Sequence, residues 1–174
     1  MSIFVTLFML ASWWDSSPQK HLHYINTYIV YDDVCTLGLE DFIHDLGFRE
    51  SSNRYHVVND YGYMGRYQFS YSLVRRMGFN VSRQEFLTNP DIQDQALLQL
   101  LFHNKQVMRD VISIYDSTYV HGVWITESGI LAAAHLMGPT RVKRFLRHGE
   151  PSSDAYGTPV DEYLAHFSGY SLGI

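Results

Sequence analysis

The spacing of apolar residues along the chain predicts a mostly helical protein. Residues 39–46 carry apolar side chains at helical intervals and predict a short helix that ends near Gly47. Residues 89–115 continue this spacing for long enough to form the central helix of a domain, with Pro90 at its first position. Capping residues before shorter apolar stripes predict further helices at residues 70–78, from Ser82 onward, and at 126–137, 139–148 and 158–167.

One short segment has a β pattern instead. Residues 55–58 are rich in β-forming residues and lead into the turn residues 59–62. We therefore expect a small β-hairpin or irregular β lobe directly after Glu50. The predicted class is mainly α, with this lobe inserted near the start of one helical domain over residues 21–174.

The N-terminus has an apolar run over residues 3–14, followed by the polar residues 15–18. The run is too short to span a bilayer as a helix, and no Lys or Arg precedes it as in a secretory signal. Residues 1–20 are therefore interpreted either as an export or anchor segment or as an N-terminal extension of the domain. The sequence leaves both interpretations open.

Composition and charge exclude several classes of function and of binding site. The formal net charge of −5 over 174 residues gives no basic surface of the kind that nucleic-acid binding requires, so nucleic acid is excluded as a partner. The single cysteine, Cys35, excludes an internal disulfide framework. The nine histidines show no metal-ligand spacing, so neither a metal nor a cofactor is predicted.

Glu50 is the candidate for catalysis. Cleavage of a glycosidic bond needs a carboxylic acid that protonates the leaving oxygen, and an apolar surrounding helps such a group to hold its proton. A glutamate at the end of a short helix, facing a cleft between helical and β parts, meets this need. Phe48, two residues earlier, is expected to supply the apolar wall.

Three short motifs follow one another around and after this glutamate. They are Glu50-Ser51, the stretch Gly62-Tyr63-Met64-Gly65-Arg66-Tyr67-Gln68 with Asn59 before it, and Ala134-His135-Leu136-Met137-Gly138-Pro139. The first two resemble the E-S and G-x-x-G-x-x-Q motifs of soluble lytic transglycosylases and goose-type lysozymes, and the third resembles their A-Y-N-x-G-P-x-x-V segment. Gln68 follows Glu50 by 18 residues, as is usual in that family. The resemblance covers roughly residues 39–146.

The resemblance implies a lysozyme-like α+β fold and cleavage of peptidoglycan between N-acetylmuramic acid and N-acetylglucosamine. It implies Glu50 as the catalytic acid. It also gives the substrate-binding candidates Ser51, Asn59, Tyr63, Tyr67, Gln68 and His135. The chain departs from the family at His135, where tyrosine is usual, at Leu136, where asparagine is usual, and at Arg66-Tyr67. We expect a monomer that acts on glycan strands in the periplasm or outside the cell.

Two alternatives stay open at this point. Asp60 follows Glu50 by 10 residues and could position water in a hydrolytic muramidase, although a turn residue that caps its own backbone is the favoured explanation. The chain could also be a non-catalytic peptidoglycan-binding module. The sequence does not indicate whether an inhibitor or immunity protein binds the site.

Overall fold

The computed structural model describes the backbone of residues 21–25 and 28–32 and the whole of residues 37–174. The chain divides into two compact units, Met1–Thr36 and Leu37–Ile174. In the first unit, strand β1 (His21–Ile25) pairs antiparallel with β2 (Tyr28–Asp32). The boundary expected at residue 20 stays a prediction, and both strands belong to the first unit. The predicted export or anchor segment lies outside the described residues.

The second unit is mainly helical, which confirms the predicted class. Its elements are α1 (Leu39–Ser51), α2 (Tyr71–Arg76), α3 (Arg83–Thr88), α4 (Pro90–Tyr115), β3 (Thr118–Val120), β4 (Val123–Ile125), α5 (Glu127–Met137), α6 (Pro139–His148) and α7 (Val160–His166). Within the described part of the chain, none of these helices is long and apolar enough to cross a membrane.

Helix α4 is the central helix, as its long apolar stripe predicts. Asn89 caps it by accepting a hydrogen bond from the Ile92 amide at 3.2 Å, and Pro90 occupies the first turn. Helices α3, α5 and α6 pack against it. Its buried face includes two polar residues, Gln93 and Asn104, in addition to the expected apolar ones.

Helix α5 is buried from Ser128 to Ala134, in agreement with its small, apolar sequence. Helix α7 packs closely against it at Gly129. A Cβ atom at Gly129 would lie only 2.4 Å from the carbonyl oxygen of Leu164, so the two backbones approach more closely than a side chain would permit. This contact sets the distance between α7 and α5.

The prediction for the end of α1 is wrong. Helix α1 does not end near Gly47 but continues to Ser51, and it ends where Ser52 adopts a left-handed conformation with φ 55°. The amide of Ser52 still donates to the carbonyl of Phe48 at 2.8 Å. Glu50 therefore lies in the last helical turn rather than in a loop after it.

Of the two forms predicted for the β lobe after Glu50, the hairpin does not occur, and the irregular lobe agrees with the structure. Only isolated bridges occur there, between Val58 and Met64 and between Met64 and Phe69. The side chain of Asn59 accepts hydrogen bonds from the amides of Tyr61 and Tyr63, so the chain turns before a ladder can extend. The hairpin of this unit is β3–β4, in the segment between the helices predicted over residues 89–115 and 126–137.

Candidate active site

The main cavity of the second unit has a volume of about 550 Å³. It lies where the end of α1, the loop of residues 59–70, the end of α5 and the loop of residues 153–156 come together. Five residues singled out from the sequence line it: Glu50, Asn59, Tyr63, Gln68 and His135. Residues that are far apart in the three motifs are thus neighbours around one cavity.

Glu50 is the buried acid of this cavity, with 12% of its side chain exposed. The hydroxyl of Tyr163 donates a 2.6 Å hydrogen bond to its Oε1 atom. Nε2 of His135 lies 4.0 Å from the same oxygen. Both neighbours lie next to Oε1, so the carboxyl group is held in one orientation, and Oε2 makes no hydrogen bond with the residues that the structure describes.

Tyr163, on α7, is a permanent hydrogen-bond donor to this carboxylate. Burial raises the pKa of the Tyr163 hydroxyl well above its usual range, and the negative charge of Glu50 raises it further. The guanidinium of Arg49 lies 4.7 Å from the centre of its ring and pairs with Glu162, which holds the aromatic ring in place. Since the hydroxyl keeps its proton at physiological pH, it can donate to the Glu50 carboxylate.

His135 is oriented by the backbone rather than by another side chain. Its Nε2 is 2.9 Å from the carbonyl oxygen of Tyr67, and because a carbonyl only accepts, Nε2 carries a hydrogen. The ring packs edge-on against Phe69. The other ring nitrogen, Nδ1, is buried and has no hydrogen-bond partner among the described residues.

The loop that carries Gln68 is shaped by contact between Gly65 and Gln93 of α4. Gly65 has φ +75°, and a Cβ there would lie 2.0 Å from Oε1 of Gln93. That oxygen accepts a hydrogen bond from the amide of Arg66, while Nε2 donates to the carbonyls of Tyr55 and Phe86. The second glycine of the motif is therefore required both for its backbone conformation and for this close approach.

Gln68 turns back toward this glycine. It has a left-handed conformation with φ 51°, and its Nε2 donates to the carbonyl of Gly65 at 2.8 Å. This bond fixes the side chain at the cavity wall and leaves Oε1 as an acceptor for a ligand. The motif thus folds as its glycines predict.

Two predicted substrate-binding residues do not line the cavity. Ser51 is buried, and its hydroxyl donates to the carbonyl of Arg66 at 2.9 Å. Tyr67 is fully buried and donates to Asp94 at 2.7 Å. Their side chains connect α1, the loop and α4, so they position the site instead of contacting a ligand.

The expectation that Phe48 forms an apolar wall beside Glu50 is also wrong, because Phe48 is 62% exposed and lies outside the cavity.

Asp60, the candidate second carboxylate, is exposed and does not line the cavity. Asp154 is the other acid among the described lining residues, and the sequence analysis missed it. Its Oδ1 accepts hydrogen bonds from the amides of Tyr156 and Thr158, at 3.0 and 2.7 Å. Asp154 therefore closes a backbone turn, whereas Glu50 is bonded to the side chain of Tyr163.

The rim of the cavity is aromatic and carries one cation. Tyr61 and Tyr156 meet edge to face at 4.9 Å, and the Tyr61 hydroxyl donates to the carbonyl of Ala155. Arg141 lines the cavity and donates to the carbonyl of Ser153 at 3.3 Å. Aromatic faces with a few polar groups are typical of sites that bind sugars or other partly apolar ligands.

Within the residues that the structure describes, no group of three His, Cys, Asp or Glu side chains is placed to hold a metal ion.

Comparison of the chain with family models, with curated proteins and with solved structures finds no match. The resemblance to lytic transglycosylases and goose-type lysozymes thus depends on the three sequence motifs alone.

Proposed function

We propose that this chain is a lytic transglycosylase with a lysozyme-like fold, which cleaves the glycan strands of peptidoglycan with Glu50 as its acid and base. The observation that carries the proposal is the setting of Glu50. It is a mostly buried carboxylate with one oxygen bonded to Tyr163, and it lines a cavity that Gln68 also lines.

In the first step, protonated Glu50 donates its proton to the oxygen that joins N-acetylmuramic acid to N-acetylglucosamine, and that bond breaks. The N-acetyl group of the substrate stabilises the positive charge that develops on the sugar. Gln68, with its free Oε1 at the cavity wall, is suited to accept a hydrogen bond from the N–H of that acetamido group.

In the second step, the Glu50 carboxylate takes the proton of the muramyl 6-hydroxyl, and this oxygen attacks the anomeric carbon. The product carries a 1,6-anhydro ring, and Glu50 is protonated again for the next cycle. The Tyr163 hydroxyl stabilises the carboxylate formed between the two steps, because it donates to Oε1 throughout.

The position of the other acids favours this mechanism over hydrolysis. A hydrolase that uses two carboxylates needs the second one near the scissile bond to activate water. Asp60 lies outside the cavity, and Asp154 is bonded to the backbone of its own turn. A reaction in which the substrate supplies the nucleophile needs Glu50 alone. We propose that it takes place on the cell wall, in the periplasm or outside the cell.

Mass spectrometry of purified peptidoglycan after digestion tests the proposal. We expect fragments that end in 1,6-anhydromuramic acid from the full chain and none from Glu50→Gln. Fragments with reducing ends would indicate hydrolysis instead. Binding to the peptidoglycan without release of fragments would indicate the non-catalytic binding module.

A further inference from the structure

Tyr156 lines the cavity of Glu50 from the segment between α6 and α7, and the proposed mechanism makes no use of it. The residue is 60% exposed, so its ring contributes little to the core. Single exposed aromatic residues are common on protein surfaces. What distinguishes Tyr156 is that both its backbone and its ring are held in place at the cavity.

A closed turn holds the backbone of Tyr156. The amide of Asp154 donates to the carbonyl of Thr158 at 3.0 Å, and the amide of Gly157 donates to the carbonyl of Asp154 at 3.2 Å. The Asp154 carboxylate also accepts hydrogen bonds from the amides of Tyr156 and Thr158. The aromatic side chain is therefore presented from a backbone segment that has little freedom to move.

A second tyrosine holds the ring. Tyr61 meets Tyr156 with ring centres 4.9 Å apart and ring planes at 81°, and the Tyr61 hydroxyl is bonded to the carbonyl of Ala155. An edge-to-face contact covers at most one face of either ring, so it orients Tyr156 and leaves aromatic surface free. Because the ring is oriented before a ligand arrives, little conformational entropy is lost on binding.

A hydrogen-bond donor lies close to this pair in the sequence and lines the same cavity. Asn59 precedes Tyr61 by two residues, and its Oδ1 atom accepts the amides of Tyr61 and Tyr63. Its Nδ2 group makes no hydrogen bond with the residues that the structure describes, and Asn59 is only partly buried, so water or a ligand must satisfy this donor. A sugar offers an apolar C–H face to an aromatic ring and oxygen atoms at its edge to such a donor.

We propose that Tyr156 stacks on a sugar ring of the glycan strand and that Tyr61 is its positioning residue. This inference rests on the proposed function, since the occupant is a further sugar of the strand that Glu50 would cleave. The side chains next to Glu50 are Tyr163 and His135, whereas the ring of Tyr156 contacts Tyr61. The stacked sugar therefore lies beside the cleaved pair and contributes to binding without taking part in the reaction.

Binding can be measured in the full chain with Glu50→Gln as the background, so that no cleavage interferes. The probe is the hexamer of β-1,4-linked N-acetylglucosamine, which presents the same kind of sugar face as the glycan strand. Isothermal titration calorimetry gives its affinity. We expect Tyr156→Ala to weaken binding about tenfold, a loss that is usual when a well-placed aromatic contact is removed. Tyr156→Phe and Tyr156→Trp should keep the affinity, because both retain an aromatic face.

Tyr119→Ala is the matched control. Tyr119 is also an exposed tyrosine in an aromatic pair, 4.9 Å from Trp124, but it does not line the cavity. This variant should leave the affinity unchanged. Three results would overturn the proposal: equal losses in the Tyr119 and Tyr156 alanine variants, a Tyr156→Phe variant that binds as weakly as Tyr156→Ala, or a hexamer that does not bind at all.

Steady-state kinetics on glycan strands without peptide stems separates binding from structural support. We expect Tyr156→Ala to raise KM about tenfold with kcat unchanged, because a sugar held equally in the ground and transition states affects KM alone. Tyr61→Ala should raise KM to a smaller extent, also without a change in kcat. A fall in kcat at constant KM, in step with a loss of thermal stability, would show that the two tyrosines only support the loops.

These measurements distinguish failure of the inference from failure of the proposed function. If the wild-type chain cleaves no peptidoglycan but binds the hexamer through Tyr156, the proposed function fails and the sugar-binding site stands. If it cleaves peptidoglycan and Tyr156→Ala changes neither affinity nor KM, the sugar-binding site fails and the proposed function stands.

Discussion

Glu50 and Tyr163 are connected by one hydrogen bond, and a single conservative substitution tests the role of each residue. We predict that Glu50→Gln abolishes glycan cleavage, because the amide keeps the shape of the side chain and the acceptor for Tyr163 but cannot transfer a proton. The rate of glycan cleavage is measured as the release of soluble fragments from peptidoglycan. Thermal unfolding and sedimentation with insoluble peptidoglycan should show that folding and binding survive. Activity within a few-fold of the wild type would refute the assignment.

Tyr163→Phe removes the donor while keeping the ring that packs under Arg49. We predict that kcat falls about tenfold with little change in KM, because a hydrogen bond to a charged group contributes roughly 1.5–3 kcal/mol. Steady-state kinetics on defined glycan fragments measures both constants.

Tyr170→Phe is the control for this change, because Tyr170 also donates to a carboxylate, Asp45, that does not line the cavity. It should leave kcat unchanged. If both tyrosine variants lose activity equally, the effect of Tyr163 is one of general stability rather than of its bond to Glu50.

Single residues of the site differ in how far the sequence can predict them. Glu50, Gln68 and His135 are predictable because their motifs have fixed local spacing. Tyr163 is not predictable, because it follows Glu50 by 113 positions and only the packing of α7 brings its hydroxyl to the carboxylate. In the sequence it is one apolar position of an amphipathic helix.

At the scale of elements, the loop after α1 depends on the fit of Gly65 against Gln93. We predict that Gly65→Ala strongly destabilises the unit, because its Cβ would lie 2.0 Å from Gln93 Oε1 and that side chain is bonded to three backbone groups. Chemical denaturation, with activity measured in parallel, checks this result.

Gly62→Ala is the matched control in the same loop. Gly62 has φ +80°, but nothing lies within 4 Å of a Cβ placed there. We expect this substitution to lower the free energy of unfolding by only about 1–2 kcal/mol, which is the cost of a left-handed backbone conformation for a residue with a Cβ atom. If the two alanine variants are equally stable, the contact with Gln93 has no importance for the loop.

The elements also show where sequence patterns fail. Helices α3 and α4 are predictable because Ser82 and Asn89 cap them as their side chains suggest. The hairpin predicted as one form of the lobe at residues 55–58 does not occur, because the Asn59 side chain bonds to the backbone amides that begin its turn. The strands of the β3–β4 hairpin have only three residues each, which is too few for a periodic signal.

At the scale of the whole second unit, one carboxylate–tyrosine pair joins α1 to the C-terminal segment. Tyr170 donates to Asp45 at 2.6 Å. This bond lowers the pKa of Asp45, together with the hydrogen bond from His44. Burial, with the bond to Asp45, raises the pKa of Tyr170 to about 12. The pair therefore makes stability depend on pH in two separate windows.

The signs of the two effects are opposite. The Asp45 contribution is present above the ordinary carboxyl pKa of 3.8 and is lost as the pH falls through the lower, folded value. The Tyr170 contribution is present below 10.0 and is lost as the pH rises toward about 12. We predict that Tyr170→Phe reduces the alkaline loss, while the share that comes from Tyr163 remains, and that it weakens the acid loss. Denaturant unfolding from pH 2 to 12 measures both, and identical pH profiles for variant and wild type would contradict the prediction.

At the scale of the whole chain, the pairing of β1 with β2 is a feature that the sequence analysis does not predict. A five-residue strand has little periodic signal of its own, and its pairing depends on a partner that the local pattern does not identify.

The close approach of α7 to α5 has a consequence for how the site could change over evolutionary time. Gly129 does not line the cavity that contains Glu50, yet it sets the depth of the helix that carries the hydroxyl donor of Glu50. Substitution by alanine would push the Leu164 backbone outward and draw Tyr163 with it. Natural selection for catalytic rate would then preserve a buried glycine that never meets the substrate, and a survey limited to cavity residues would overlook it.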